Sequence, residues 1–206
     1  MPSKNIFITG IGTGIGKTII SSILVEKFKA DYWKPIQSGD LDSSDTMRVQ
    51  SLISNKETTF HPETYKLTQP YSPHKSAAVD GIKIEQSSLN LPETSNKLIV
   101  EGAGGLIVPL NENYLMVDLI KKFATPVVLV SQNYLGSINH TLMSINVLKQ
   151  FEIPLLGIIF NGFKDIYTKE FILDYSGAEF LGHVPDYNKI DKKTIHNAGS
   201  FILDFF

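Results

Sequence analysis

The sequence predicts a three-layer α/β fold, with a central, mostly parallel sheet and helices on both faces. Three observations predict it: apolar β-branched runs recur along the chain, helical patterns lie between them, and a glycine-rich turn joins the first run to the first helix. Ile6-Phe7-Ile8, Leu98-Ile99-Val100, Val127-Val128-Leu129-Val130 and Leu156-Gly157-Ile158-Ile159-Phe160 are continuous rather than alternating. Strands covered on both faces read this way, because neither face meets water. Tyr32-Trp33-Lys34-Pro35 and Phe180-Leu181-Gly182-His183-Val184-Pro185 are weaker strand candidates. Thr18 to Phe28 reads as helix, as does Ser137 to Phe151, where Ile138, Leu142, Ile145 and Leu148 share one face. Parallel neighbours need right-handed crossovers, which put helices over both faces and ligands at the carboxyl ends of the strands.

At 206 residues and 42% hydrophobic content, the chain is long enough for one domain, expected over residues 1–206. Residues 55–92 stand apart: they are polar, punctuated by Pro62, Pro70, Pro73, Gly81 and Pro92, with a helix expected only over Ser72 to Asp80. A stretch of that length is either a long excursion or a lid. Nineteen basic against 21 acidic residues leave a net charge of −2, which gives no reason to expect a nucleic-acid stripe or a polybasic membrane contact. A small-molecule partner is expected instead. The absence of cysteine excludes a disulfide framework, thiolate zinc sites and a cysteine nucleophile, and fits a reducing, cytoplasmic setting. Met1-Pro2-Ser3-Lys4 runs straight into the first apolar run, so no signal segment is expected, and no run approaches the roughly 18 apolar residues of a membrane span.

The chemistry concentrates in Thr9-Gly10-Ile11-Gly12-Thr13-Gly14-Ile15-Gly16-Lys17-Thr18. A strand, a glycine loop and a helix opening on Gly-Lys-Thr resemble a phosphate-binding P-loop, in which loop N–H groups and the helix dipole hold the anion. Lys17 would reach the β- and γ-phosphates and Thr18 would ligate Mg²⁺. The spacing is G-x₅-G-K-T, one residue longer than the usual pattern, because Ile11 stands where the first glycine belongs. The same residues also spell T-G-x-x-x-G-I-G, the cofactor turn of short-chain dehydrogenases, and Tyr71-Ser72-Pro73-His74-Lys75 supplies a Y-x-x-x-K. Pro73 inside that pair, and its position ahead of the Leu98 run, argue against the dinucleotide reading.

Glu101 ends the Leu98 strand, where a carboxylate beside a phosphate loop holds Mg²⁺ directly or through water; the alternative is an acid capping a glycine turn. Ser43-Ser44-Asp45 reads as a helix start, where Asp45 would stabilise the dipole. Lys34 ends the second strand, either as a second cation facing the site or as a solvated lysine. His61, His74, His140, His183 and His196 form no pair at ligand spacing.

Taken in order, Gly16-Lys17-Thr18, Trp33-Lys34-Pro35, Ser72-Pro73-His74, Val100-Glu101-Gly102-Ala103-Gly104-Gly105 and Gly136-Ser137-Ile138-Asn139-His140 resemble the dethiobiotin synthetase family over nearly the whole length. That family is written G-T-D-T-x-V-G-K-T, Y-K-P-x-x-S-G, S-P-H, V-E-G-A-G-G and L-G-x-I-N-H. The resemblance implies a P-loop NTPase fold, a homodimer, and ATP- and Mg²⁺-dependent closure of a cyclic urea from 7,8-diaminopelargonic acid and CO₂ or bicarbonate. An amine traps CO₂ as a carbamate, a carbamate oxygen attacks the γ-phosphate, and the neighbouring amine displaces phosphate. Every step builds or moves negative charge, so positioning and electrostatics carry the catalysis.

By the same resemblance, Lys34 and Lys17 are catalytic, and Thr18, Asp45 and Glu101 serve the metal. The nucleotide would lie on Thr13, Gly14, Ile15, Gly16, Lys17, Thr18 and Ile19, on Asp45, on Glu101, Gly102, Ala103 and Gly104, and on Asn161, Gly162, Val184, Pro185 and Asp186, with Asn161 at the base. Ser38 and Thr13 would contact substrate. Ser137, Ile138 and Asn139, opening a helix, would receive its carboxylate tail from the adjacent subunit. Two departures follow from the comparison of motifs: T-D-T-E reads Ile11-Gly12-Thr13-Gly14, which removes acids beside the phosphates, and the chain after Asp186 does not reproduce the base-recognising loop, which relaxes the expected preference for ATP. On this reading Lys34→Ala costs turnover and leaves stability nearly untouched. A nucleotide-switched binding protein similar to the partitioning ATPases is the other reading of the same loop and sheet.

Overall fold

The apolar runs do become the inner strands of one sheet. A computed structural model describes residues 4–206; Met1 to Ser3 lie outside the described residues. In chain order the elements are β1 (Asn5–Gly10), α1 (Lys17–Phe28), β2 (Asp31–Trp33), β3 (Ile36–Ser38), α2 (Asp45–Leu52), β4 (Phe60–His61), β5 (Tyr65–Leu67), α3 (Pro73–Val79), β6 (Leu98–Glu101), β7 (Pro109–Asn111) and β8 (Tyr114–Leu115). There follow α4 (Met116–Phe123), β9 (Val127–Gln132), α5 (Ser137–Gln150), β10 (Leu155–Asn161), α6 (Ile166–Ser176), β11 (Phe180–Val184) and α7 (Lys192–Ala198).

Seven strands form the main sheet in the order β11-β10-β9-β1-β6-β2-β4, every pairing parallel. Ile6 and Ile8 of β1 face one side with Ile20, Ile23 and Leu24 of α1, Val49 of α2 and Ile195 of α7. Phe7 faces the other with Leu119 and Ile120 of α4, and α5 and α6 cover Leu129, Ile158 and Phe160 on that same side. Alternate residues of a buried strand thus feed two cores, which explains why the run is apolar throughout.

The chain leaves β1 toward β2 on one side and returns to β9 on the other. Such a reversal opens a crevice at the carboxyl ends of the strands. The turn after β1 and the ends of β2 and β6 all reach it.

Residues 55–92 pair and pack with the strands around them. β4 adds to the sheet edge beside β2, β5 pairs with β3, and Leu67, Ala77, Ile84 and Leu89 are buried in the core with Phe7 and Trp33. The Trp33 indole N–H also donates to the Pro62 carbonyl at 3.1 Å. Strands of two or three residues carry no periodicity, which is why the sequence shows only α3 here.

Candidate active site

The glycine turn wraps the start of α1. Gly14 and Gly16 sit at φ +74° and +91°, a left-handed backbone that side chains rarely adopt. A Cβ on Gly16 would run into the Asn161 side-chain amide, and that amide donates to the Ile15 carbonyl at 3.0 Å, tying the loop to the end of β10. Gly16 takes the N-cap position of α1 without a side-chain cap, so the first N–H groups of the helix have no side-chain acceptor there. A phosphate suits that place.

Lys17 folds its ammonium back onto the Gly12 carbonyl at 2.9 Å. Burial, and then the charge of Lys34, lower its pKa to about 8, while Glu101 and Asp45 partly oppose them. A triphosphate would offer this ammonium what the loop carbonyl does not, full negative charge.

Thr18, Lys34, Asp45 and Glu101 meet at one point. Thr18 Oγ1 lies 2.9 Å from Asp45 Oδ1 and 2.9 Å from Glu101 Oε1. Lys34 Nζ lies 2.7 Å from Asp45 Oδ2, 3.0 Å from Glu101 Oε1 and 3.2 Å from the Gly102 carbonyl. Burial works against the Lys34 ammonium, but Glu101 and Asp45 reverse this and hold its pKa above the ordinary lysine range. For Asp45, burial alone would raise the carboxyl; Lys34 and the Thr18 hydroxyl hold it below the usual range. Lys34 is therefore the buried second cation, and Asp45 is more than a dipole partner. Its helix starts here because Ser44 caps α2 by accepting from Met47 N–H and because Gln37 of β3 accepts from Asp45 N–H at 3.2 Å.

The same cluster fits a hard divalent cation. A threonine hydroxyl has one hydrogen, so of its two 2.9 Å contacts with carboxylate oxygens only one can be a hydrogen bond. The other sets oxygen against oxygen, an arrangement that a cation relieves. One hydroxyl and two carboxylates match magnesium, which completes its shell from phosphate oxygens and water. Among the described residues no group of three or more His, Asp or Glu is placed to hold a metal by itself.

A cavity of about 660 Å³ opens over this centre, lined among others by Lys17, Lys34, Ser38, Asp45, Glu101 and Ala103. Ser38 is part of that lining, and its Oγ is buried with no hydrogen-bond partner. Thr13, Gly14, Gly16, Thr18, Ile19 and Gly104 line it too. Ile15 is buried beneath, and a Cβ on Gly102 would strike the Phe7 ring, so neither faces the cavity with a side chain.

Two sequence-predicted groups lie outside this lining. Asn161, Gly162, Val184, Pro185 and Asp186 gather where β10 and β11 end; Gly162 N–H donates to the Val184 carbonyl at 2.8 Å, and Asp186 and Gln132 converge over Gly162. Ser137, Ile138 and Asn139 open α5 after Gly136, whose φ is +101°, next to a second cavity of about 320 Å³ lined by Thr13, Ile107, Val108, His140 and Met143. Thr13 borders both cavities. Tyr71 precedes α3, whose first residue is Pro73, and the Lys75 ammonium sits 3.9 Å from the Tyr71 ring centre; the pair shares no helix face.

Sequence reasoning missed Tyr32, Gln37 and Arg48. Tyr32 OH donates to Glu101 Oε2 at 3.0 Å, and Arg48 lines the cavity from α2. Tyr32 was findable: it precedes Lys34 by two residues on an extended segment, so the two side chains share a face.

A phosphate loop at the switch point of a parallel sheet, with lysine and threonine at the helix start, defines a P-loop nucleotide-binding protein. The fold agrees: a solved ParA family ATPase from Chlorobium tepidum TLS aligns with a TM-score of 0.60 at 13% identity, covering 97% of this chain and 100% of that one. A family profile described as an AAA domain matches residues 4–194. The ATP-dependent dethiobiotin synthetase of Christiangramia forsetii is 46% identical over 192 residues, 93% of this chain and 92% of that protein. That of Cytophaga hutchinsonii is 44% identical over 193 residues, 93% of each. The chain belongs to the ATP-dependent dethiobiotin synthetase family.

Proposed function

We propose that this chain closes the cyclic urea of dethiobiotin from 7,8-diaminopelargonic acid, CO₂ and ATP, acting as a ligase that forms C–N bonds. The observation that carries the reading is the Lys34 ammonium, buried 2.7 Å from Asp45 and 3.0 Å from Glu101 beside Thr18 at the mouth of the phosphate loop. A nucleotide switch needs no such second cation; a reaction that makes a carbamate and then a carbamic–phosphoric anhydride does.

One amine of the substrate adds to CO₂, and the carbamate oxygen attacks the γ-phosphorus, displacing ADP. The second amine attacks the anhydride carbonyl, and phosphate leaves as the ring closes. Lys34 commits its three hydrogens to Asp45, Glu101 and the Gly102 carbonyl, so an incoming carbamate takes over one of these donors. Lys17 turns from the Gly12 carbonyl to the terminal phosphates, and the N–H groups of Gly14 to Thr18 hold the anion already aligned. Thr18, Asp45 and Glu101 would hold a magnesium ion, which would supply positive charge against the phosphates. Asn161, with Gly162 and Val184 to Asp186, holds the base, and Ser38 the reacting end of the substrate.

The working unit is read as a homodimer in the cytoplasm, each protomer one domain over residues 1–206, with the substrate tail on Ser137 to Asn139 of the adjacent subunit. Exposed Tyr134, Leu135 and Met143 beside that turn support this. The described helices include none long and apolar enough to cross a membrane. The deciding assay gives the purified chain ATP, Mg²⁺ and bicarbonate with and without the diamine. Phosphate release is expected only with the diamine; release without it, or none at all, overturns the reading.

A further inference from the structure

Tyr32 is completely buried on β2, its ring packed against Phe60 with centroids 6.0 Å apart. Its hydroxyl donates to Oε2 of Glu101 at 3.0 Å, while Oε1 of the same carboxylate receives Lys34 and faces Thr18. The terminal torsion of a glutamate is broad and two-fold, so burial alone does not decide which way the carboxylate plane lies. An outside hydrogen bond does. We propose that Tyr32 is a positioning residue of the active site, whose phenolic O–H fixes the Glu101 carboxylate so that Oε1 stays aimed at the point where Thr18, Asp45 and Lys34 converge.

A purely structural account treats the bond as the nearest acceptor for a buried phenol. Not every buried hydroxyl of the chain has one: those of Tyr114 and Thr9 are buried without a protein hydrogen-bond partner. A neutral donor on one oxygen also leaves the carboxylate its full charge for the other side, where a lysine would compete with the centre. Outer-shell donors of this kind orient metal-site carboxylates and carry much of their affinity.

The test compares Tyr32→Phe, which removes one oxygen and keeps the ring, with Tyr114→Phe, which removes a buried phenol oxygen that makes no hydrogen bond to Glu101. Binding of Mn²⁺ in the presence of ADP, read by electron paramagnetic resonance, is expected to weaken about tenfold in Tyr32→Phe and to stay at the wild-type value in Tyr114→Phe. Turnover should fall in parallel, with the diamine KM within about twofold of wild type, because substrate contacts are untouched. The Mn²⁺ affinity decides: Tyr32→Phe within about twofold of wild type overturns the proposal whatever its melting temperature does. Should the variant be too unstable for resonance work, the rise in melting temperature given by saturating Mn²⁺ and ADP reads the same difference. The proposal rests on the proposed function only through the turnover arm. A wild-type chain with no diamine-dependent phosphate release would sink that function, while the Mn²⁺ comparison would still stand or fall alone.

Discussion

Lys34 bridges two carboxylates, Asp45 and Glu101. With all three of its hydrogens committed and its side chain 5% exposed, removing it leaves Asp45 and Glu101 with the Thr18 oxygen between them and no positive charge in contact. From the sequence, Lys34→Ala reads as a loss of turnover without a loss of stability; the pairing corrects the second half. Breaking a buried ion pair from one side strands the other charge, a cost of about 3 kcal/mol, and Lys17 is the remaining cation nearby. Lys34→Ala is therefore expected to lower kcat roughly 10²- to 10³-fold, as loss of a preorganised donor does, and also to lower the urea midpoint clearly at constant m. A variant with wild-type stability would place the lysine in solution, away from both carboxylates. At this scale the sequence revealed the charged residues, because a lysine or glutamate at the end of an apolar strand is anomalous. It marked Tyr32 only by the face shared with Lys34, because a tyrosine inside a strand is ordinary until its hydroxyl has a named acceptor.

Helix α7 shows how an element is pinned by one residue. Asp191 caps it, its carboxylate accepting from Thr194 N–H at 2.9 Å and from the Thr194 hydroxyl. The Thr194 N–H, followed by Lys189 and the Thr194 hydroxyl, lowers the Asp191 pKa to about 2. A carboxyl depressed in the folded state contributes stability that is full above its unfolded pKa, about 3.9, and is lost as pH falls through the folded value. Thermal melts between pH 4 and pH 2 should thus fall more steeply for wild type than for Asp191→Asn, which caps without titrating; parallel curves would show that the cap is not ionised. Neither this cap nor the Asp165 cap of α6 stood out in the sequence, because α6 buries only Ile172 and α7 only Ile195 and Ala198, too few apolar positions to mark a helix behind the cap. The inner strands β1, β6, β9 and β10 were legible, since burial on both faces leaves a continuous apolar run. β4 and β5 were not: their pairing is fixed by where β2 and β3 already lie, a tertiary fact with no local signature. The excursion that carries them therefore read as an undecided polar stretch, although Leu67, Ile84 and Leu89 within it are fully buried.

Across the whole molecule, the phosphate cavity and the opening of α5 belong to the same proposed reaction yet do not share a lining. Ser137 to Asn139 are absent from the residues around Lys17 and Lys34, and the cavity they adjoin runs along Gly10 to Thr13 of the phosphate loop, sharing Thr13 and Val108 with the phosphate cavity. A substrate with diamine at one end and carboxylate at the other could fill both from different subunits, because a two-fold interface presents each site with its partner's copy of the same surface. Mixing two defective proteins tests this directly. Lys34→Ala removes the cation of the reacting end, and Asn139→Asp sets a carboxylate where the substrate's own carboxylate docks. In a mixed dimer built across the interface, one site collects both defects and the other collects neither. Random subunit exchange makes half of the dimers mixed and half of their sites intact, so activity should recover to about one quarter of wild type. A tail bound within its own subunit would leave every site with one defect, and the mixture would then be no more active than the mean of its parents. Light scattering on the same mixture, before and after exchange, establishes whether a dimer carries the recovered activity.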